Sequence, residues 1–353
     1  MNLDDLDLYK NHDSQNMLSH IDGLPDQLRD AWKLGTNLEL PRWSGVKQVL
    51  IAGMGGSAIG ADLLSAYLSS RCDLPIVVHR DYGLPTWVKG NGTLVITASH
   101  SGNTEETLSV FDIAMTRDCR ILVITTGGAL AHAASQSEVP VWEFVHNGQP
   151  RAAVGYSFGL LLAAMFRLDL VLDPTNEISG VIEAMKEQQK FIKAEIPVVQ
   201  NPAKRLAGQL VDRWVNVFGA GILAPVARRW KGQISEIAKA WAQFEFLPEA
   251  DHNTLAGILN PERLFSSQIA LFLQCSSDHP RNHLRSHLTS KAFMVAGMNT
   301  SFVDARGDTP LAQLWTCLHF GDYMAYYLAM AYGVDPTPVA SIEGFKREMA
   351  AAG

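Results

Sequence analysis

Ser99, Ser101, Asn103 and Thr104 crowd around Gly102 in the run Ser-His-Ser-Gly-Asn-Thr-Glu-Glu. An apolar strand pattern, Leu94-Val95-Ile96-Thr97, leads into this run, and a helical pattern begins at Glu105. The first N–H groups of a helix have no intrahelical partners, so a strand-to-helix turn points them at whatever lies in front. The turn therefore reads as a cradle for a phosphate, one that needs no lysine or arginine. The plainer alternative is a set of hydroxyls that merely cap the helix. A second glycine-rich turn, Gly53-Met54-Gly55-Gly56-Ser57-Ala58-Ile59-Gly60, follows the apolar run Val49-Leu50-Ile51-Ala52. It fits the Gly-x-Gly-x-x-Gly pattern of dinucleotide folds only loosely, and such a fold would leave the serine-rich turn unexplained.

These turns need elements to hold them. Strand patterns run over 48–52, 76–78, 93–97, 120–125 and 139–144, with helical patterns over 58–70, 105–117 and 155–172. Pro140 puts the last strand at a sheet edge. Crossovers of this size imply a parallel, doubly wound α/β sheet whose ligands sit at the carboxyl ends of the strands, where both turns fall. A polar, Glu- and Lys-rich stretch over 173–205 reads as a helical connection. Further strand patterns at 214–218, 267–273 and 301–304 then follow. The turn Gly219-Ala220-Gly221 echoes Gly53-Met54-Gly55, which suggests internal duplication of one unit across 1–172 and 206–353. The second copy carries Gln274-Cys275-Ser276-Ser277-Asp278 where the serine-rich turn would stand, so it reads as a drifted cradle.

Composition narrows the function. The 353 residues, 47% hydrophobic, suffice for two domains with substantial cores. A net charge of −7 argues against a nucleic-acid surface. The four cysteines, Cys72, Cys119, Cys275 and Cys317, lack C-x-x-C spacing, and the polar start Met1-Asn2-Leu3-Asp4-Asp5 is not a signal peptide, so a reduced cytoplasmic protein is expected. Leu314 to Tyr332 approaches membrane-spanning length, yet His319, Gly321 and Asp322 sit in its middle. One central Asp costs about 3 kcal/mol in lipid, which favours a core helix with a polar joint.

Ser99-x-Ser101-Gly102-x-Thr104-x-Glu106 resembles the signature of sugar isomerase (SIS) domains. With Gly53 to Gly60, Pro150-Arg151-Ala152-Ala153, Asp251-His252-Asn253, Gly321-Asp322-Tyr323 and the tail Gly333 to Pro338, the whole chain resembles the bifunctional phosphoglucose/phosphomannose isomerases. The resemblance covers nearly the whole chain and departs mainly in residues 1 to 20, which are given no role. The resemblance implies two SIS domains. It also implies an aldose-ketose isomerase that interconverts glucose 6-phosphate or mannose 6-phosphate with fructose 6-phosphate.

Moving a carbonyl between C1 and C2 needs a base that takes a proton from one carbon and returns it to the other, and a carboxylate suits a cis-enediol route. By the resemblance, Glu236 is that base; otherwise it reads as a solvated helix carboxylate paired with Lys239. His252 is matched to ring opening, reaching the site of a neighbouring subunit in a homodimer. Lys346 and Arg151 are matched to the charge on the reacting oxygens. Gly55, Gly56, Ser57, Ser99, Ser101 and Thr104 are expected to hold the phosphate. The chemistry calls for no metal and no cofactor, and His283 and His287, although four residues apart, lack the context of a metal pair. Two alternatives stay open: a non-catalytic sugar-phosphate sensor, and an isomerase for another phosphosugar such as a phosphoheptose or an amino sugar.

Overall fold

The alternating patterns form two parallel sheets, each wrapped by helices, in a computed structural model that describes residues 2–352. Leu6–His12 (α1), Met17–Asp22 (α2) and Leu24–Asn37 (α3) come first. The first α/β unit follows as Gln48–Ala52 (β1), Gly55–Leu68 (α4), Ile76–His79 (β2), Thr93–Ser99 (β3), Glu105–Met115 (α5), Arg120–Thr125 (β4), Gly128–Gln136 (α6), Val141–Glu143 (β5) and Val154–Arg167 (α7). Thr175–Ile192 (α8) and Pro202–Leu210 (α9) lead to the second unit. That unit comprises Trp214–Ala220 (β6), Ala224–Ile237 (α10), Ala242–Leu247 (β7), Gln268–Gln274 (β8), Pro280–Val295 (α11), Asn299–Asp304 (β9) and Pro310–Tyr332 (α12), and Ala340–Ala352 (α13) closes the chain.

The first sheet has the strand order β2-β1-β3-β4-β5 and the second β7-β6-β8-β9, with every pair parallel. All seven residues of β3 are buried, as expected of a strand covered on both faces. The order reverses between β1 and β3, and again between β6 and β8. Those are the switch points at which doubly wound sheets open a crevice. The four-strand order of the second sheet repeats that of the first, and Met54 (φ −124°, ψ 157°) matches Ala220 (φ −124°, ψ 160°). Gly55 and Gly221 follow them at φ 48° and 50°. These matches are consistent with two copies of one unit.

The largest core cluster joins the two sheets through helices. In α12 nearly every residue is buried, against α8, α9 and α10. Gly321 is required there, because a Cβ would stand 2.1 Å from Nε1 of Trp230. Among the described residues no helix is long and apolar enough to cross a membrane.

Three further features emerge from the structure. The stretch 173–205 contains α8, which packs on both α3 and α12 and so forms part of the common core. The segment from Tyr9 to Asp13 packs on α12: Tyr9 is buried against Tyr326, and the Tyr326 hydroxyl donates to Asp13 at 3.1 Å. Strand β7, Ala-Gln-Phe-Glu-Phe-Leu, escapes a reading by apolar pattern because it lies at the sheet edge and carries Gln243 and Glu245 among its apolar residues.

Candidate active site

Both glycine-rich turns lie side by side at the switch point of the first sheet. The Ser57 hydroxyl accepts from His100 N at 3.2 Å, which ties the start of α4 to the serine-rich turn. Within that turn Ser99 Oγ accepts from Gly102 N at 3.1 Å and shares a hydrogen bond of 2.9 Å with Thr104 Oγ1. Ser101 Oγ accepts from Asn103 N at 3.2 Å. Gly102 sits at φ 68°, and a side chain there would strike the carbonyl of Gly127, so only glycine permits the fold of this turn. Thr104 is the N-cap residue of α5 but makes no side-chain cap bond. Its hydroxyl is turned toward Ser99, so simple capping does not account for it. Ser57 and Ser99 are buried, while Gly55 and Ser101 are exposed at the mouth of the cradle.

The His100 ring stands beside the cradle, with Nε2 3.0 Å from Nδ1 of His146, and His20 packs on the far side of His146. Burial lowers the pKa of all three; that of His146 falls to about 4, helped by the charges on its two neighbours. They form a neutral wall near pH 7.

Gly56 connects the cradle to the charged groups. A Cβ on Gly56 would lie 2.5 Å from the Pro150 carbonyl oxygen and 2.9 Å from Arg151 N, so the start of α4 rests on the turn Pro150–Ala152. Arg151 on that turn is only 4% exposed. Its Nη1 lies 3.5 Å from Oε2 of Glu236, whose side chain is 33% exposed near the end of α10. Its Nη2 donates to the carbonyls of Pro336 and Thr337. Burial lowers the Arg151 pKa from its usual value, and the Glu236 charge opposes that shift. Lys239 does not pair with the Glu236 carboxylate: its Nζ donates to the backbone carbonyls of Glu236 and Ile237, at 2.7 and 3.3 Å.

Asp322 of the polar joint supports this arrangement together with Arg229 and Gln233, two residues that carry no motif in the sequence. Arg229 donates to Asp322 through Nε and Nη2, at 3.1 and 2.6 Å, and also to the Arg151 carbonyl at 3.1 Å. Gln233 Nε2 donates to Asp322 Oδ1 at 2.9 Å. Arg229 and Asp322 are both nearly fully buried, and such a pair persists only with its remaining hydrogen bonds made. The polar joint in the apolar run 314–332 was the available signal, and its partner on α10 is visible only in three dimensions.

The remaining expected residues stand apart within one chain. His252 is exposed on the short 3-10 segment after β7, next to Asp251, whose carboxylate accepts from Arg285 and Thr289 at 2.9 and 2.6 Å. Lys346 is exposed on α13, a helix that buries none of its residues. His283 bonds the Cys275 carbonyl and His287 packs on Phe302. Among the described residues no group of three or more His, Cys, Asp or Glu is placed to hold a metal ion.

A carboxylate oriented by a buried guanidinium, next to an uncapped anion cradle, is equipped to move protons on a phosphorylated molecule. Residues 199–349 match the family described as bacterial phospho-glucose isomerase C-terminal SIS domain. A bifunctional phosphoglucose/phosphomannose isomerase of Caldicellulosiruptor bescii is 36% identical over 95% of this chain and 99% of its own length. One from Aquifex aeolicus is 34% identical, over 86% of this chain and 90% of its own. In fold the chain is similar to a tagatose-6-phosphate ketose/aldose isomerase from Escherichia coli, with a TM-score of 0.69 at 15% identity over 91% of this chain and 94% of that one.

Proposed function

The chain belongs to the bifunctional phosphoglucose/phosphomannose isomerase family, and from that premise we propose how its own residues interconvert glucose 6-phosphate or mannose 6-phosphate with fructose 6-phosphate. The ion pair between Arg151 and Glu236, joined to the cradle through Gly56, is the observation that carries the reading. The phosphate sits in the turns of Ser57, Ser99, Ser101 and Thr104, held by hydroxyls and by the N–H groups at the starts of α4 and α5. Gly55 and Gly56 keep that approach clear of side chains.

His252, supplied by a second copy of this chain in a homodimer, takes the proton of the anomeric hydroxyl and gives one to the ring oxygen, which opens the ring. Glu236 then removes the C2 proton of the open aldose. The electron pair left behind forms the C1–C2 double bond of a cis-enediol as the C1 carbonyl oxygen gains a proton. Return of the proton to C1, as the C2 hydroxyl gives up its proton and becomes the carbonyl, completes the ketose, with C1 reduced and C2 oxidised within one molecule. Arg151 fixes the carboxylate, and Lys346 offers a cation to the enediolate oxygens. Because C2 is planar in the enediol, one base yields glucose or mannose phosphate according to which face of C2 is turned toward it, as rotation about the C2–C3 bond allows.

The test is incubation of the metal-free protein with fructose 6-phosphate and separate detection of glucose 6-phosphate and mannose 6-phosphate. Both products are expected. Saturable binding of fructose 6-phosphate without turnover would replace the enzyme by a sensor.

A further inference from the structure

A cleft of about 670 Å³ opens not at Glu236 but at the opposite end of α10, over the switch point of the second sheet. That volume lies within the range of roughly 300–1,000 Å³ typical of small-molecule sites. It opens between α4, α10 and the start of α11, where Gly221 and the residues Ser277 to His279 form its floor. It therefore occupies in the second unit the place that the phosphate cradle occupies in the first.

Two differences define what this cleft could take. His279 is the N-cap of α11 as Thr104 is of α5, so Asp278 stands where the first unit has Asn103 and Ser277 where it has Gly102. No residue from Gln274 to His279 has a positive φ, so the left-handed turn of Gly102 is absent. An acidic side chain replaces it, with Asp278 Oδ1 buried and without a hydrogen-bond partner among the described residues. A phosphate would meet this carboxyl group instead of a ring of donors. The two lining guanidiniums are already engaged: Arg228 with Asp62 at 2.8 Å and over the Phe246 ring, Arg71 with Glu177 at 3.2 Å and over the Tyr67 ring. Ser65, Ser69 and Ser70 line the wall from α4 and the turn after it, the Ser65 and Ser69 hydroxyls donating to the carbonyls of Ile76 and Ala66 and keeping their acceptor lone pairs free.

The second difference removes catalysis. Ser70 stands as far beyond Gly55 as Glu236 stands beyond Gly221, so the counterpart of the base is a serine. We propose that this cleft is a second, non-catalytic site for an uncharged polyhydroxylated ligand of the hexose or polyol class. Asp278 Oδ1 accepts a ligand hydroxyl, and the serines serve the others. Burial raises the Asp278 pKa, which suits a carboxyl that meets hydroxyls and no resident cation.

Equilibrium dialysis of the full-length protein with labelled D-glucose tests this, run with and without saturating fructose 6-phosphate. One saturable glucose site per chain, indifferent to fructose 6-phosphate, is expected. Ser70→Trp, which fills the cleft, and Asp278→Ala on the opposite wall should each weaken glucose binding by about tenfold or more, with fructose 6-phosphate turnover unchanged. Absence of saturable binding overturns the proposal, as does displacement by fructose 6-phosphate or binding that survives both substitutions. Inorganic phosphate binding at this cleft in preference to glucose overturns the assignment to an uncharged ligand. Turnover measured on the same preparations keeps a failure here distinct from a failure of the isomerase reading.

Discussion

Arg151 is the residue through which the two halves of the site act together, because its backbone supports the cradle at Gly56 while its guanidinium holds Glu236. Phosphate binding and proton transfer are then separable at single side chains. Glu236→Gln keeps the shape and loses the base, so kcat should fall by about 10²–10⁴ while fructose 6-phosphate affinity, read by calorimetry, is retained. Ser101→Ala removes one exposed cradle hydroxyl and should weaken that affinity by about 1 kcal/mol with kcat little changed. A Glu236→Gln enzyme that turned over at full rate would remove Glu236 as the base. The serine-rich turn was legible in the sequence because serines around a glycine after a buried strand are a local pattern. The Arg151 pairing was not, because its partners on α10 and after α12 are distant in the chain.

At the scale of elements, α10 and α12 carry the support for that site. The hydrophobic pattern of 314–332 was read as a core helix, and its polar joint proves to be two separate devices. Asp322 anchors Arg229, which holds the Arg151 carbonyl. Asp322→Asn leaves Arg229 buried without its counter-charge and should lower the unfolding free energy by about 3–5 kcal/mol, measured by urea denaturation; a loss under about 1 kcal/mol would show the pair to be dispensable. His319, fully buried, bonds the Ile21 carbonyl at 2.7 Å and so locks α2 onto α12. Burial lowers its pKa from 6.5 to about 4. Between those values the unfolded chain takes up a proton that the folded chain excludes, so stability falls as pH drops from 6.5 to 4, by ~3 kcal/mol from this group. His319→Gln should flatten thermal unfolding across that window, and an unaltered slope would assign the acid sensitivity elsewhere, for instance to His146.

For the whole molecule, doubled sheet topology was readable from two glycine turns, Gly53 to Gly55 and Gly219 to Gly221, each after an apolar strand. The resemblance implies that His252 reaches a neighbouring subunit's site, and in the structure His252 is exposed while Glu236 pairs with Arg151. If His252 opens the ring as proposed, its exposure in its own chain fits a symmetric dimer that places it over the partner's site. This arrangement has a consequence that neither variant shows alone. Glu236→Gln and His252→Ala proteins should each be nearly inactive, but a heterodimer of the two contains one site with Glu236 from one chain and His252 from the other, both intact. Its second site lacks both groups. After denaturation and refolding of an equal mixture, about half of the dimers are mixed, so activity should return to about a quarter of the wild-type value. If His252 served its own chain, every site in the mixture would lack one group and no activity would return, so the regained activity separates the two geometries without a structure of the dimer.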